Sequence, residues 1–171
     1  EADAALNIAL TGSRYALFSA DSFAQNCGLP GAPIDPLLVF HTVFGKTVPD
    51  ISLNAVANLG YADCRFLAAV YPGDTLSAVS QVIGLKENSN RETGIVYVRT
   101  TGRNQMDEMV LDYVRWVMVR KRDAAAPAPE ANPAVRAPVF RIVCPQPWLL
   151  SPPLGAAMWT CRSPSASPEG Y

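Results

Sequence analysis

Large side chains recur at helical spacing from Pro36 to Val48: Leu37, Leu38, Phe40, His41, Phe44 and Val48 follow a step of three to four residues. Val39 and Val43 add apolar residues to the opposite face, so the pattern predicts a helix buried nearly all round. Asp35 is placed to cap it, Pro36 suits its first turn, and Pro49 is expected to stop it. Upstream, Ala2–Leu10 is rich in helix formers and Thr11-Gly12 closes it. Asp21 is the expected N-cap of a short helix through Cys27, ended by Gly28.

Past residue 53 the period changes from helix to strand. Apolar residues in 54–61 and 65–71 predict two strands, and Pro72-Gly73 predicts a turn that Asp74 caps. Thr75–Glu87 alternates, with Val79, Gln81, Ile83 and Leu85 on one face. Asn88–Gly94 is a polar hairpin loop, Ile95–Thr101 is rich in β-formers, and Met109–Val119 is a long final strand before the basic cluster Arg120-Lys-Arg122. One buried helix ahead of long antiparallel strands predicts an α+β domain, a sheet around a helix, over residues 1–123.

The pattern breaks after Asp123. Ten of the 15 prolines and only five charged residues fall in 124–171, and Ala124–Pro133 has the composition of an extended linker. The apolar islands Phe140–Cys144 and Trp148–Leu150 show no period. Two readings stay open for this tail: a disordered segment, or an out-of-frame translation.

Composition narrows function mostly by exclusion. The 171 residues are 49% hydrophobic and 17% charged, the balance of a folded domain. A net charge of −1 offers no field for nucleic acid or an anionic membrane. No apolar run approaches the roughly 18 residues of a membrane span. Residues 1–10 lack the basic start and cleavage pattern of a secretory leader, although the chain begins with Glu1. Four scattered cysteines and a single histidine argue against a metal cluster and for a reducing, cytoplasmic setting.

The segment Leu37–Tyr61, with Tyr71-Pro-Gly-Asp-Thr-Leu76 and Tyr113–Asp123, strongly resembles the mesaconyl-CoA (2-methylfumaryl-CoA) hydratase family, a branch of the MaoC-like, R-specific enoyl-CoA hydratases. The resemblance covers about residues 5–130 and leaves the tail out. It implies a hot-dog fold, an antiparallel sheet wrapped around one central helix. It also implies two such halves in a full chain, of which this sequence resembles the first. The implied activity is a hydro-lyase reaction between mesaconyl-CoA and β-methylmalyl-CoA. The substrate is a coenzyme A thioester and no separate cofactor is expected. The expected partner is a second hot-dog half or a second copy of the chain.

Hydration of an enoyl thioester needs a base for water, an acid for the α-carbon, and donors at the thioester oxygen. MaoC-like enzymes carry an Asp and a His in a Gly-Asp-x-Asn-Pro-x-His loop. Here the aligned stretch is Gly12–Phe18, with Ser13 for the Asp and Phe18 for the His, and the helix start Ile34-Asp35-Pro36 departs from the family's Ile-x-His-Gly. No catalytic residue is therefore assigned to this half, which by resemblance shapes the acyl pocket.

His41, Phe44, Tyr61 and Arg65 are the candidate substrate-binding residues. Two of them have a plainer alternative. His41 also fits a satisfied core histidine, and Arg65 a surface ion pair with Asp63. Lys46 fits a side chain reaching for solvent. Arg120, Lys121 and Arg122 fit either coenzyme A phosphates or a solvated strand end. Two other functions remain: a non-catalytic acyl-CoA-binding half, and a hot-dog thioesterase using Asp35 or Asp50.

Overall fold

The computed structural model describes residues 2–129. The expected Pro-rich tail from 124 therefore enters it only as far as Pro129, and the remainder lies outside the described residues. Three α-helices precede four strands: α1 (Ala2–Thr11), α2 (Asp21–Asn26), α3 (Pro36–Thr47), β1 (Ala55–Phe66), β2 (Ser77–Glu87), β3 (Thr93–Arg103) and β4 (Met109–Arg120). The strands form one antiparallel sheet in the order β1-β4-β3-β2, so β4 and β3 are central and β1 and β2 are edges.

The helix α3 begins where the sequence puts it. The Asp35 carboxylate accepts from the Leu37 N–H at 2.8 Å, and Pro36 occupies the first turn, where a missing N–H costs nothing. Its buried residues, Val39, Val43 and Thr47, lie four apart on one face. They rest on the sheet with Cys64, Val70, Val110, Leu111 and Tyr113 as a single core. The helix is not buried all round, as its apolar content suggests. Leu37 is 63% exposed, and His41, Thr42, Gly45 and Lys46 face solvent. The sheet covers one side of the helix, and the face carrying His41, Gly45 and Lys46 is open to solvent.

The close approach of α3 depends on Gly102 in β3. A Cβ there would lie 2.8 Å from Val43 Cγ2, inside van der Waals contact. Glycine at this position removes the side chain that would hold the helix off the sheet.

Four local expectations change. Asp21 opens α2 without capping it: Ala20 is the N-cap residue, and the Asp21 carboxylate accepts instead from the Ala32 N–H at 2.8 Å, closing the Pro30–Pro33 loop. Pro49 does not end the helical stretch, because Val48–Ser52 continues as one π-helical turn with proline near its start. The two strands expected at 54–61 and 65–71 are one strand to Phe66. Beyond it the chain leaves the sheet so that Ala68 and Val70 pack into the core, held by Leu67 N–H to Val110 O at 2.9 Å and Ile34 N–H to Val70 O at 2.7 Å. The two-faced alternation of β2 does not produce a buried face; Val79 and Val82 are 65% and 56% exposed on this edge strand.

The turn at Pro72-Gly73 forms as expected. Gly73 has φ +101°, Asp74 N–H donates to Tyr71 O, and the Asp74 carboxylate accepts from Tyr71 N–H at 2.8 Å. Among the described residues no helix is long and apolar enough to cross a membrane.

Candidate functional site

A cavity of about 530 Å³ opens at the N-terminal end of α3. Tyr15, Leu17 and Phe18 form one wall. These come from the turn around Ala16–Phe18, where Tyr15 and Phe18 meet edge to face at 5.4 Å. Pro33–Leu37 and Val39 form the second wall, and Phe66 with Ala68–Val70 the third. The lining is hydrocarbon apart from the Tyr15 hydroxyl, the Asp35 carboxylate and backbone groups.

Asp35 is fully engaged. One carboxylate oxygen takes the Leu37 N–H, and the other accepts from the Ser13 hydroxyl at 2.9 Å. Of the two positions that the sequence resemblance sets against the family's acid and base, Phe18 lies in the cavity wall and Ser13 is bound to the Asp35 cap. Neither a serine hydroxyl on its own nor a phenyl ring is a general acid or base near neutral pH.

The four candidate binding residues do not gather at this cavity, and none of them lines it. Phe44 and Tyr61 belong to an aromatic cluster further along α3, with ring centres 6.1 Å apart and Phe40 and Tyr113 between α3 and the sheet. His41 is exposed, its ring edge-on to Phe40 at 5.9 Å, so it is not a satisfied core histidine. Arg65 is exposed on β1 and makes no ion pair with Asp63. The carboxylate across from it in register, Asp112, is already gripped by Arg99 through two hydrogen bonds of 2.9 and 2.6 Å.

The same aromatic cluster holds a residue that the sequence did not single out. Arg115 is fully buried, and its guanidinium donates to the Thr47 hydroxyl and the Ser52 hydroxyl, each at 3.0 Å. Burial lowers its pKa, and the neighbouring Tyr113 and Tyr61 oppose that shift. Its Nε and the Tyr113 hydroxyl are buried without a well-directed hydrogen bond, although the Thr100 and Thr47 hydroxyls lie near enough to Tyr113 to favour its ionised form. Burial outweighs that help and raises the Tyr113 pKa. Arg115 shares the inward parity of Leu111, Tyr113 and Val117 along β4, and that alternation was the available signal.

Among the described residues no three His, Cys, Asp or Glu side chains are gathered as a metal would need. What the cavity can do is accept a hydrocarbon group beside a polar rim; it contains no proton-transfer pair.

Residues 11–133 match the model of the family described as mesaconyl-CoA hydratase. Two curated relatives are similar: a beta-methylmalyl-CoA dehydratase of Chloroflexus aurantiacus, 68% identical over 130 residues, and a mesaconyl-CoA hydratase of Cereibacter sphaeroides, 70% identical over 125. These alignments cover 76% and 73% of this chain but only 37% and 36% of the relatives. The chain thus spans little more than a third of their length. Among solved structures, a MaoC domain protein dehydratase from Chloroflexus aurantiacus superposes with a TM-score of 0.77 at 64% identity, covering 81% of this chain and 40% of that one. A conserved protein of Mycobacterium tuberculosis with a double hotdog fold superposes at 0.69 and 28% identity, covering 82% of this chain and 46% of that one. The chain is a hot-dog domain and belongs to the mesaconyl-CoA hydratase family.

Proposed function

We propose that the chain is the acyl-pocket half of a hydratase that interconverts mesaconyl-CoA and β-methylmalyl-CoA, and that the acid and base lie outside residues 2–129. The observation that carries this reading is an apolar cavity at the start of α3 that has Phe18 in its wall and Ser13 at its cap, where the resemblance expects the acid and base.

In hydration, a base takes a proton from water as its oxygen bonds to the β-carbon. The electron pair moves through the enolate to the α-carbon, where an acid returns a proton. Donors at the thioester oxygen stabilise the charge on the way. This half supplies walls that position the hydrocarbon part and exclude water, which raises rate only through geometry. The partner that completes the site is a second hot-dog half, in keeping with the double hotdog fold of one structural neighbour and the greater length of the relatives. No cofactor beyond the coenzyme A of the substrate is required. The unpaired Cys27 and Cys64 suit a reducing, cytoplasmic setting.

The thioesterase alternative loses its best residues. Asp35 has both oxygens committed to hydrogen bonds, and Asp50 is exposed on the π-helical turn, away from the cavity.

The test monitors enoyl-thioester absorbance after mesaconyl-CoA is added to the 171-residue chain. The expected result is no decay, with saturable binding of the thioester by calorimetry. Rapid hydration by the chain alone would overturn the assignment of the acid and base elsewhere, and release of free thiol would favour the thioesterase.

A further inference from the structure

The basic cluster that ends β4 was open to two readings, a phosphate site or a solvated strand end. Lys121 fits neither. Its side chain is only 16% exposed, and its ammonium donates to the Glu87 carboxylate at 2.6 Å, to Ala126 O at 2.7 Å and to Ala124 O at 3.4 Å. An ammonium has three donors, and all three are used inside the protein. Its backbone N–H donates to Glu92 O at 2.9 Å, so the residue is also fixed to the β2–β3 hairpin loop.

The segment after Lys121 is folded back over it. Asp123 turns the chain, its carboxylate accepting from Ala125 N–H at 2.9 Å and its carbonyl from Ala126 N–H at 3.2 Å. Pro127 and Pro129 then face Leu85, Ile95 and Val119 across a cleft of about 250 Å³ at the end of the sheet. Proline cannot donate to a strand edge, so this segment lies against the hairpin without extending the sheet.

We propose that Lys121 and Glu87 form a clamp that holds Ala124–Pro129 on the β2–β3 hairpin and so fixes the direction in which the chain leaves the domain. A glycine-serine exit would sample many directions; here two carbonyls are tied to one half-buried ammonium, and two prolines stiffen the exit itself. The Glu87 carboxylate holds the ammonium in position, and the ammonium in turn gives the half-buried carboxylate a partner.

The experiment is elastase cleavage of the 171-residue chain after Ala124 or Ala125, with products sized by mass spectrometry, under conditions where urea titration shows each variant fully folded. Cleavage of a tied segment is governed by its local opening. Losing a charge-assisted contact set should raise the rate on the order of tenfold for Lys121→Met. Glu87→Gln, which keeps the carbonyl contacts, should give a smaller increase in the same peptide bonds. A Lys121→Met chain cut no faster than the parent would overturn the clamp. If Lys121→Met does not fold, Glu87→Gln decides alone: an unchanged rate refutes the proposal, and a rise confined to the bonds after Ala124 and Ala125 supports it. A rise spread over bonds throughout the domain reports general loosening and also refutes it.

Discussion

The Arg115 guanidinium lies over the Phe44 ring, its central carbon 4.8 Å from the ring centre. That contact joins the middle of β4 to the last turns of α3, and the same guanidinium reaches Thr47 and Ser52. A buried charge without a carboxylate partner is costly unless neutral dipoles surround it. Here the helix C-terminus supplies them, because the carbonyls of its last turn are the negative end of the helix. The stack with Phe44 adds about 0.5–2 kcal/mol when desolvated.

Arg115→Lys is therefore not conservative. An ammonium loses the planar stack and the fork that reaches two hydroxyls at once. The expected cost is about 1–3 kcal/mol. Arg115→Met removes the charge together with its desolvation cost and should be milder than lysine. Urea unfolding of the three proteins checks the order; a lysine variant as stable as the parent would refute this role.

Gly102 and Val43 make a second contact that can be cycled. Gly102→Ala places a methyl 2.8 Å from Val43 Cγ2, and overpacking of this kind costs roughly 1–3 kcal/mol. Trimming the obstacle with Val43→Ala should recover part of that loss in the double variant. A favourable coupling of about 0.5 kcal/mol or more in a double-mutant cycle is the expected result. Strict additivity would mean that α3 does not press on β3 at this point.

Much of this arrangement is legible in the sequence because it is local. The cap at Asp35, the turn at Pro72-Gly73 and the central strands β3 and β4 arise from residue chemistry and alternation. The misplaced features are those decided by distant partners. Nothing in residues 65–71 says that Ala68 and Val70 will pack under a helix instead of pairing as a strand. The many apolar residues of α3 predict burial all round, whereas Leu37 and the polar face at His41 and Lys46 stay exposed. His41 and Arg65 stand out by their chemistry, whereas the cavity walls include Leu17, Phe66 and Val70, whose ordinary apolar character carries no signal until the fold brings them together.

Alkaline pH should loosen the core. Burial, and then the Asp112 charge, raises the Cys64 thiol above its ordinary 9.0, and burial raises the Tyr113 phenol above its ordinary 10.0. In both cases the neutral form is favoured by folding. The resulting stability is complete below the unfolded pKa and is lost as pH climbs through the folded value. Unfolding free energy should hold steady up to about pH 8.5 and then fall, with the decline shallower in Cys64→Ala, which lacks the first of the two groups. A decline of the same steepness in that variant would remove Cys64 from the explanation.

The contact between Ser13 and Asp35 makes a carboxylate at position 13 costly. The hydroxyl donates to a carboxylate 2.9 Å away that also caps α3. Ser13→Asp exchanges a donor for a second anion at the same spot. Two carboxylates at that range cannot both ionise cheaply, so one folded-state pKa rises. A raised carboxyl favours folding below its unfolded value near 4 and loses that advantage as pH increases. The variant should therefore match the parent most closely at about pH 4 and fall behind it towards pH 7. Ser13→Ala is the control: it loses one hydrogen bond worth about 0.5–1.5 kcal/mol and adds no charge, so its deficit should be nearly independent of pH between 5 and 8. Thermal unfolding across that range separates the two. A Ser13→Asp deficit that stays flat with pH would show that residue 13 does not face the Asp35 carboxylate.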